Sequence, residues 1–111
     1  MIIHLVGRVA PGRWNDLVAF LERAIPFYER PGGIKVRLFR DQHDPDAFIE
    51  VIEYGSEQAY TADQRRVDTD PEMIARLGEW RGLLAADVEV RTYRDVTPVP
   101  GTTESSEGDP P

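Results

Sequence analysis

The chain has 111 residues, 41% of them hydrophobic, and a formal net charge of −7. That length suits one folded domain, its apolar runs are too short to span a bilayer, and no basic cluster is present to hold nucleic acid. The absence of cysteine excludes disulfides, thiolate metal sites and thiol nucleophiles together, and suits a cytoplasmic protein.

The N-terminal MIIHLVGRV has no basic region ahead of its apolar stretch and runs straight into a strand pattern over Ile2–Val9, so it is not read as a signal peptide. Ile3, Leu5, Gly7 and Val9 alternate with Ile2, His4, Val6 and Arg8. One set is apolar or small and the other is mixed, as expected of a strand buried on both sides with one side lining something polar. Pro11 and Gly12 turn the chain. From Arg13 to Arg30, the residues Trp14, Leu17, Val18, Leu21, Ala24, Ile25 and Tyr28 form a helical stripe. Pro26 is expected to kink or end this helix, and Pro31, Gly32 and Gly33 close the segment.

Ile34–Arg40 and Phe48–Tyr54 form a strand pair around the turn-rich DQHDPD, and the second strand is the more continuously apolar, as a central strand should be. Ser56 can cap a helix, and the whole stretch to Ala86 is helical apart from a break. Asp70, Pro71 and Glu72 restart the helix after that break. The second piece carries Met73, Ile74, Leu77, Trp80, Leu83 and Leu84. Val88–Val96 is a last strand, at an edge. Residues 97–111 are rich in Pro, Gly, Ser, Thr and acids and are expected to be a disordered tail, leaving residues 1–96 as the domain. Three of the seven net negative charges fall on that tail, at Glu104, Glu107 and Asp109.

Strand, helix, strand, strand, helix, strand is the order of a ferredoxin-like βαββαβ α+β fold, with an antiparallel sheet ordered 4-1-3-2. Its helices cover one face of the sheet, and the bare face needs a partner. The stretches MIIHLVGRVAPGRW, HDPDAFIEVIEYGSEQAY, DPEMIARLGEW and VEVRTYRDV resemble the dimeric α+β barrel superfamily, which includes antibiotic-biosynthesis-type monooxygenases and NIPSNAP-like proteins. The resemblance covers Met1 to Val96 and is mostly architectural. It implies a homodimer whose two sheets enclose a barrel. Some relatives oxidise aromatic polyketides without metal or flavin, and others degrade haem or isomerise lactones. The haem-degrading branch uses a histidine on the second helix, and this sequence has no histidine after His43. That branch's asparagine has no clear match, since Asn15 is the sole asparagine.

The candidate catalytic pair is His4, as acid or base, and Arg8, as a holder of an anionic group, on one face of the central first strand. His4 is expected to point into the barrel while helices cover Ile3, Leu5 and Val9; the opposite parity would let Gly7 make room for a ligand. The plainer reading is a hydrogen-bonded interior histidine and a solvated strand-end arginine. Glu50 and Glu53 must point to opposite sides. Each is read as a rim charge or a partner of Arg37 or Arg91, although an interior glutamate, once desolvated, is a general base. His43 with Asp41, Asp44 and Asp46 is read as a solvated turn, and no metal or other cofactor is expected. Tyr54, Tyr60, Trp80 and Tyr93 are the candidate ligand-binding residues, with core packing as the default role of Trp80. The leading expectation is a homodimer binding a small organic molecule. The alternatives are a cofactor-independent monooxygenase or isomerase acting on an aromatic or polyketide-like substrate, and a structural or regulatory dimer with a filled barrel. No nucleic acid or membrane partner is expected.

Overall fold

A computed structural model describes residues 1–100, so most of the expected tail, residues 101–111, lies outside the described residues. The elements are β1 (Ile2–Arg8), α1 (Trp14–Glu29), β2 (Ile34–Arg40), β3 (Ala47–Tyr54), α2 (Glu57–Thr69), α3 (Pro71–Arg81) and β4 (Glu89–Tyr93). The strands form one sheet in the order β2-β3-β1-β4, with every neighbouring pair antiparallel. Read from the other edge this is 4-1-3-2, the ferredoxin-like order, and the fold is α+β.

Strand alternation divides the sheet into two faces. Ile3 lies opposite Ile52 and Thr92, Leu5 opposite Glu50 and Val90, and Gly7 opposite Phe48. These residues face the helices, together with Ile34, Val36 and Leu38 of β2. They meet Leu17, Phe20, Leu21 and Ala24 of α1 and Met73 and Trp80 of α3 in one core. Each large apolar side chain taken from water into such a core contributes roughly 1.5–3 kcal/mol. The other face carries Ile2, His4 and Val6 of β1, Ile49, Val51 and Glu53 of β3, and Arg91 and Tyr93 of β4. No described helix covers it.

The helices stop where sequence and pairing make them stop. α1 runs through Pro26 to Glu29, so the expected ending at proline does not occur. Pro26 is exposed, and the carbonyl it leaves without a helical donor falls on the watered side of the helix. Ser56 Oγ accepts from the Ala59 N–H at 3.1 Å to cap α2, and Asp70 Oδ1 accepts from Glu72 N–H at 2.9 Å to cap α3. The chain leaves the helical path at Gly82, earlier than the expected Ala86, where the end of β1 and the residues just after it take over its backbone groups. The Ala10 N–H donates to Leu83 O and the Ala85 N–H to Arg8 O, both at 2.9 Å. β4 is shorter than the expected Val88–Val96 at its far end, since Tyr93 already lies opposite Ile2, where its neighbour β1 begins.

At Gly7 the sheet leaves no room for a side chain. A Cβ there would stand 2.8 Å from Val88 Cγ1 and 3.1 Å from Phe48 Cζ, and Phe48 is fully enclosed. Gly7→Ala should therefore destabilise the fold by roughly 1–3 kcal/mol through overpacking. A urea midpoint lowered without a change in slope is the expected result; an unmoved midpoint would show that Val88 yields freely.

Candidate functional site

A cavity of about 680 Å³ lies between the helix-facing side of the sheet and the pair α2 and α3. Leu5, Val36 and Ile52 make an apolar floor. Tyr60, Val67, Met73 and Leu77 close it from the helices. Its exposed lining residues, Arg81, Ala86, Asp87, Val90 and Thr92, place the mouth between the end of α3 and β4. The volume suits a small organic molecule.

Three buried side-chain atoms in the cavity wall lack hydrogen-bond partners: Glu50 Oε1, Trp80 Nε1 and Asp63 Oδ1. The third has a charged neighbour, described below; the first two lie near each other. Glu50 is central on β3 and only 4% exposed. Burial is the dominant influence on it and pushes its pKa up to about 7, since a carboxylate is far costlier than a carboxylic acid in so dry a place. The Trp80 indole N–H pulls more weakly the other way, although it stops short of a hydrogen bond to the carboxylate. Glu53 faces the open side, where its Oε1 accepts from Arg37 Nη2 at 3.1 Å.

At the cavity's other end, Tyr54 Oη donates to Asp63 Oδ2, and both residues are buried. Arg66 Nη1 lies 3.5 Å from Asp63 Oδ1. Arg66 is itself fixed by donating to the carbonyls of Tyr28 at 3.2 Å and Phe27 at 2.9 Å. Tyr60 meets Tyr54 edge to face, with ring centroids 5.2 Å apart. Burial first, and then the Asp63 carboxylate, raise the pKa of the Tyr54 phenol. Burial and the Glu50 charge raise that of Tyr28. Both phenols therefore stay protonated near neutrality. Because the Tyr54 proton is engaged by Asp63, its oxygen offers lone pairs rather than a donor.

Of the residues singled out in the sequence, the structure brings Tyr54, Tyr60 and Trp80 together in this cavity. His4, Arg8 and Tyr93 lie on the opposite face, because alternation along β1 and β4 turns them away from Ile3, Leu5, Val90 and Thr92. His4 and Tyr93 stack there with ring centroids 4.6 Å apart. Arg8 forms an exposed ion pair with Asp44 in the β2–β3 turn. In that same turn Asp41 Oδ1 accepts from the backbone N–H groups of His43 and Asp44. Among the described residues no group of three or more His, Asp or Glu converges as a metal site would.

Asp63 escaped the reading of the sequence. The signal that reveals it is spacing: Tyr60, Asp63, Gln64 and Val67 recur at three and four residues and so share one face of α2.

No protein-family profile matches the sequence, and no curated protein matches it. Solved structures do. A protein from Bordetella bronchiseptica, provisionally named an antibiotic biosynthesis monooxygenase, is 24% identical, with 86% of this chain and 96% of that one covered and a TM-score of 0.66. SnoaB, a cofactor-independent oxygenase from Streptomyces nogalater solved in a mutant form, is 14% identical over 88% and 96% of the two chains, with a TM-score of 0.69. The chain has the fold of the antibiotic biosynthesis monooxygenases. A conserved protein of Methanosarcina mazei Go1 shares the architecture at 13% identity, 84% and 89% coverage and a TM-score of 0.71. No described helix is long and apolar enough to cross a membrane.

The state of Glu50 makes stability depend on pH. Its pKa rises from the ordinary 4.5 to about 7 on folding. Between those values the native state keeps a proton that the unfolded chain has released, so stability falls as pH rises through this window. Above it the full cost of the buried carboxylate is present; below it both states are protonated and the cost vanishes. Glu50→Gln should therefore melt higher than the parent at about pH 8, and the gain should disappear at about pH 4. A gain of equal size at both values would place its origin in packing and remove the role of charge.

Proposed function

We propose that the cavity binds a small, planar and largely apolar organic molecule. The observation that carries this reading is a space of about 680 Å³ walled by the apolar Leu5, Val36, Ile52 and Leu77 and by the aromatic Tyr54, Tyr60 and Trp80. Apolar ligand surface buried there contributes roughly 25 cal/mol per Å², and the floor and Tyr60 hold the ring. Open volume in this place weighs against a purely structural, filled interior. Planar aromatic ketones and phenols, offered singly, should raise the melting temperature. A ligand at 100 times its Kd stabilises by about 2.7 kcal/mol. Leu5→Trp, which fills the floor, should abolish the shift. A shift that survives this variant would place binding elsewhere.

A second reading, that of a cofactor-independent monooxygenase or isomerase on an aromatic or polyketide-like substrate, is favoured by one further observation: the unpartnered atom of Glu50 is acidic and sits where a base would be useful. The fold shared with SnoaB adds to it. A doubly activated methylene and dioxygen yield a carbonyl and water, a balance that needs no added reductant.

The uncovered sheet face is best matched by a second copy of this chain. Phe39 and Tyr93 on it are 47% and 43% exposed. The face also carries both signs of charge, in Arg37 with Glu53 and in Arg91 with Glu89, a self-complementary mixture suited to a two-fold contact. Sedimentation at micromolar concentration should give twice the chain mass. A monomer there would remove this assembly.

A further inference from the structure

Resting on the ligand-binding reading above, we infer that Tyr28 selects the ligand, its hydroxyl donating to a neutral carbonyl oxygen on the bound ring. α1 contributes Tyr28 to the cavity wall. Among the described residues its hydroxyl has no hydrogen-bond partner, yet it is not one of the three enclosed atoms in that state, so it keeps open surface. The residue as a whole is only 8% exposed, and the space it borders is the cavity. Its polar neighbours in the wall differ. Tyr54 gives its proton to Asp63, and Glu50 Oε1 and Trp80 Nε1 are enclosed beside each other.

The donor is held from behind. Arg66 donates to the carbonyls of Tyr28 and Phe27 and so ties the end of α1 to α2. The Phe27 ring meets that of Tyr28 edge to face, with centroids 6.1 Å apart. Phe27 is itself packed by the guanidinium groups of Arg30, Arg66 and Arg76, at 5.1, 4.8 and 4.7 Å from its centroid. A donor fixed before the ligand arrives loses little freedom on binding, so more of its hydrogen bond is expressed as affinity. The surroundings then decide the acceptor. Burial and the charges of Glu50, Glu79 and Asp63 keep the Tyr28 proton in place, with Arg76 acting the other way. A carboxylate or phenolate brought to this hydroxyl would meet the acids Glu50 and Asp63 in a dry space, where desolvation and like charge both oppose it. A ketone oxygen brings no charge and accepts near the plane of its own carbonyl, which a flat ring shares. The class selected is therefore the planar aromatic ketone, over its hydrocarbon and over an anion of the same shape.

The test compares 1-tetralone with tetralin, the same bicycle without the carbonyl, by equilibrium dialysis against the full chain. Tyr28→Phe should weaken 1-tetralone about tenfold and leave tetralin unchanged, because only the ketone loses a partner. Unchanged tetralin binding also reports that the cavity of this variant is intact. Tyr60→Phe, which removes another wall hydroxyl and keeps its ring, should spare the preference. Equal loss of both ligands in Tyr28→Phe makes Tyr28 a packing residue and overturns the inference. A 1-tetralone affinity unmoved by Tyr28→Phe, or lowered instead by Tyr60→Phe, overturns it as well; each of these results leaves cavity binding standing. A second measurement needs no variant. The infrared carbonyl stretch of 1-tetralone bound to the parent should fall below its value in a dry hydrocarbon solvent, and an unshifted band overturns the donor. Parent protein that binds neither compound sinks the cavity reading, and this inference with it.

Discussion

The pairing of β1 with β3 governs the rest of the molecule. Once Leu5 stands opposite Glu50 and His4 opposite Val51, the two-residue repeat of a strand leaves no freedom about which side chains face the helices and which face outward. A slip of β1 by one residue against β3 would put His4 and Val6 beneath the helices and bring Ile3 and Leu5 to the surface. The apolar stripe of α1 and the fully enclosed Phe48 make such a slip prohibitive. The depth of the cavity, the burial of Glu50 and the composition of the bare face are consequences of that single register.

Within the cavity the polar groups are unequal in freedom. Asp63 is held between Tyr54, which donates to one of its oxygens, and the Arg66 charge beside the other. This corner ties α2 to β3. Glu50 has only the more weakly acting indole N–H of Trp80 beside it. The contrast arises from surroundings rather than residue type, because Glu50 and Asp63 are both buried acids.

Much of the architecture was legible in the sequence. The apolar alternation of Ile3, Leu5, Ile34 and Val36 and the cap at Asp70 with Pro71 placed strands and helices close to where they lie, and the strand order followed from their succession. Pro26 does not end α1, one of the two outcomes expected of it, since periodicity alone does not tell which side of a helix meets water. The site was harder to read. Tyr54, Tyr60 and Trp80 stood out as aromatics near one corner, but whether a strand's mixed face or its apolar face borders open space depends on how far α2 and α3 stand off the sheet. That distance is a tertiary property with no local signature. Glu50 was correctly separated from Glu53 by pleat parity, yet its burial depends on Trp80, far along the chain, closing over it.

The cavity and the bare face occupy opposite sides of one sheet, and the mouth opens sideways, past Asp87 and Val90. If two copies meet through their bare faces, neither blocks the other's entrance, and no cavity residue crosses the contact. Each cavity would fill independently, coupled to its twin only through the stiffness of the strands between them. Such an assembly gives a hyperbolic isotherm with no sigmoid and no half-of-sites behaviour, so the protein would answer ligand concentration gradually instead of acting as a threshold.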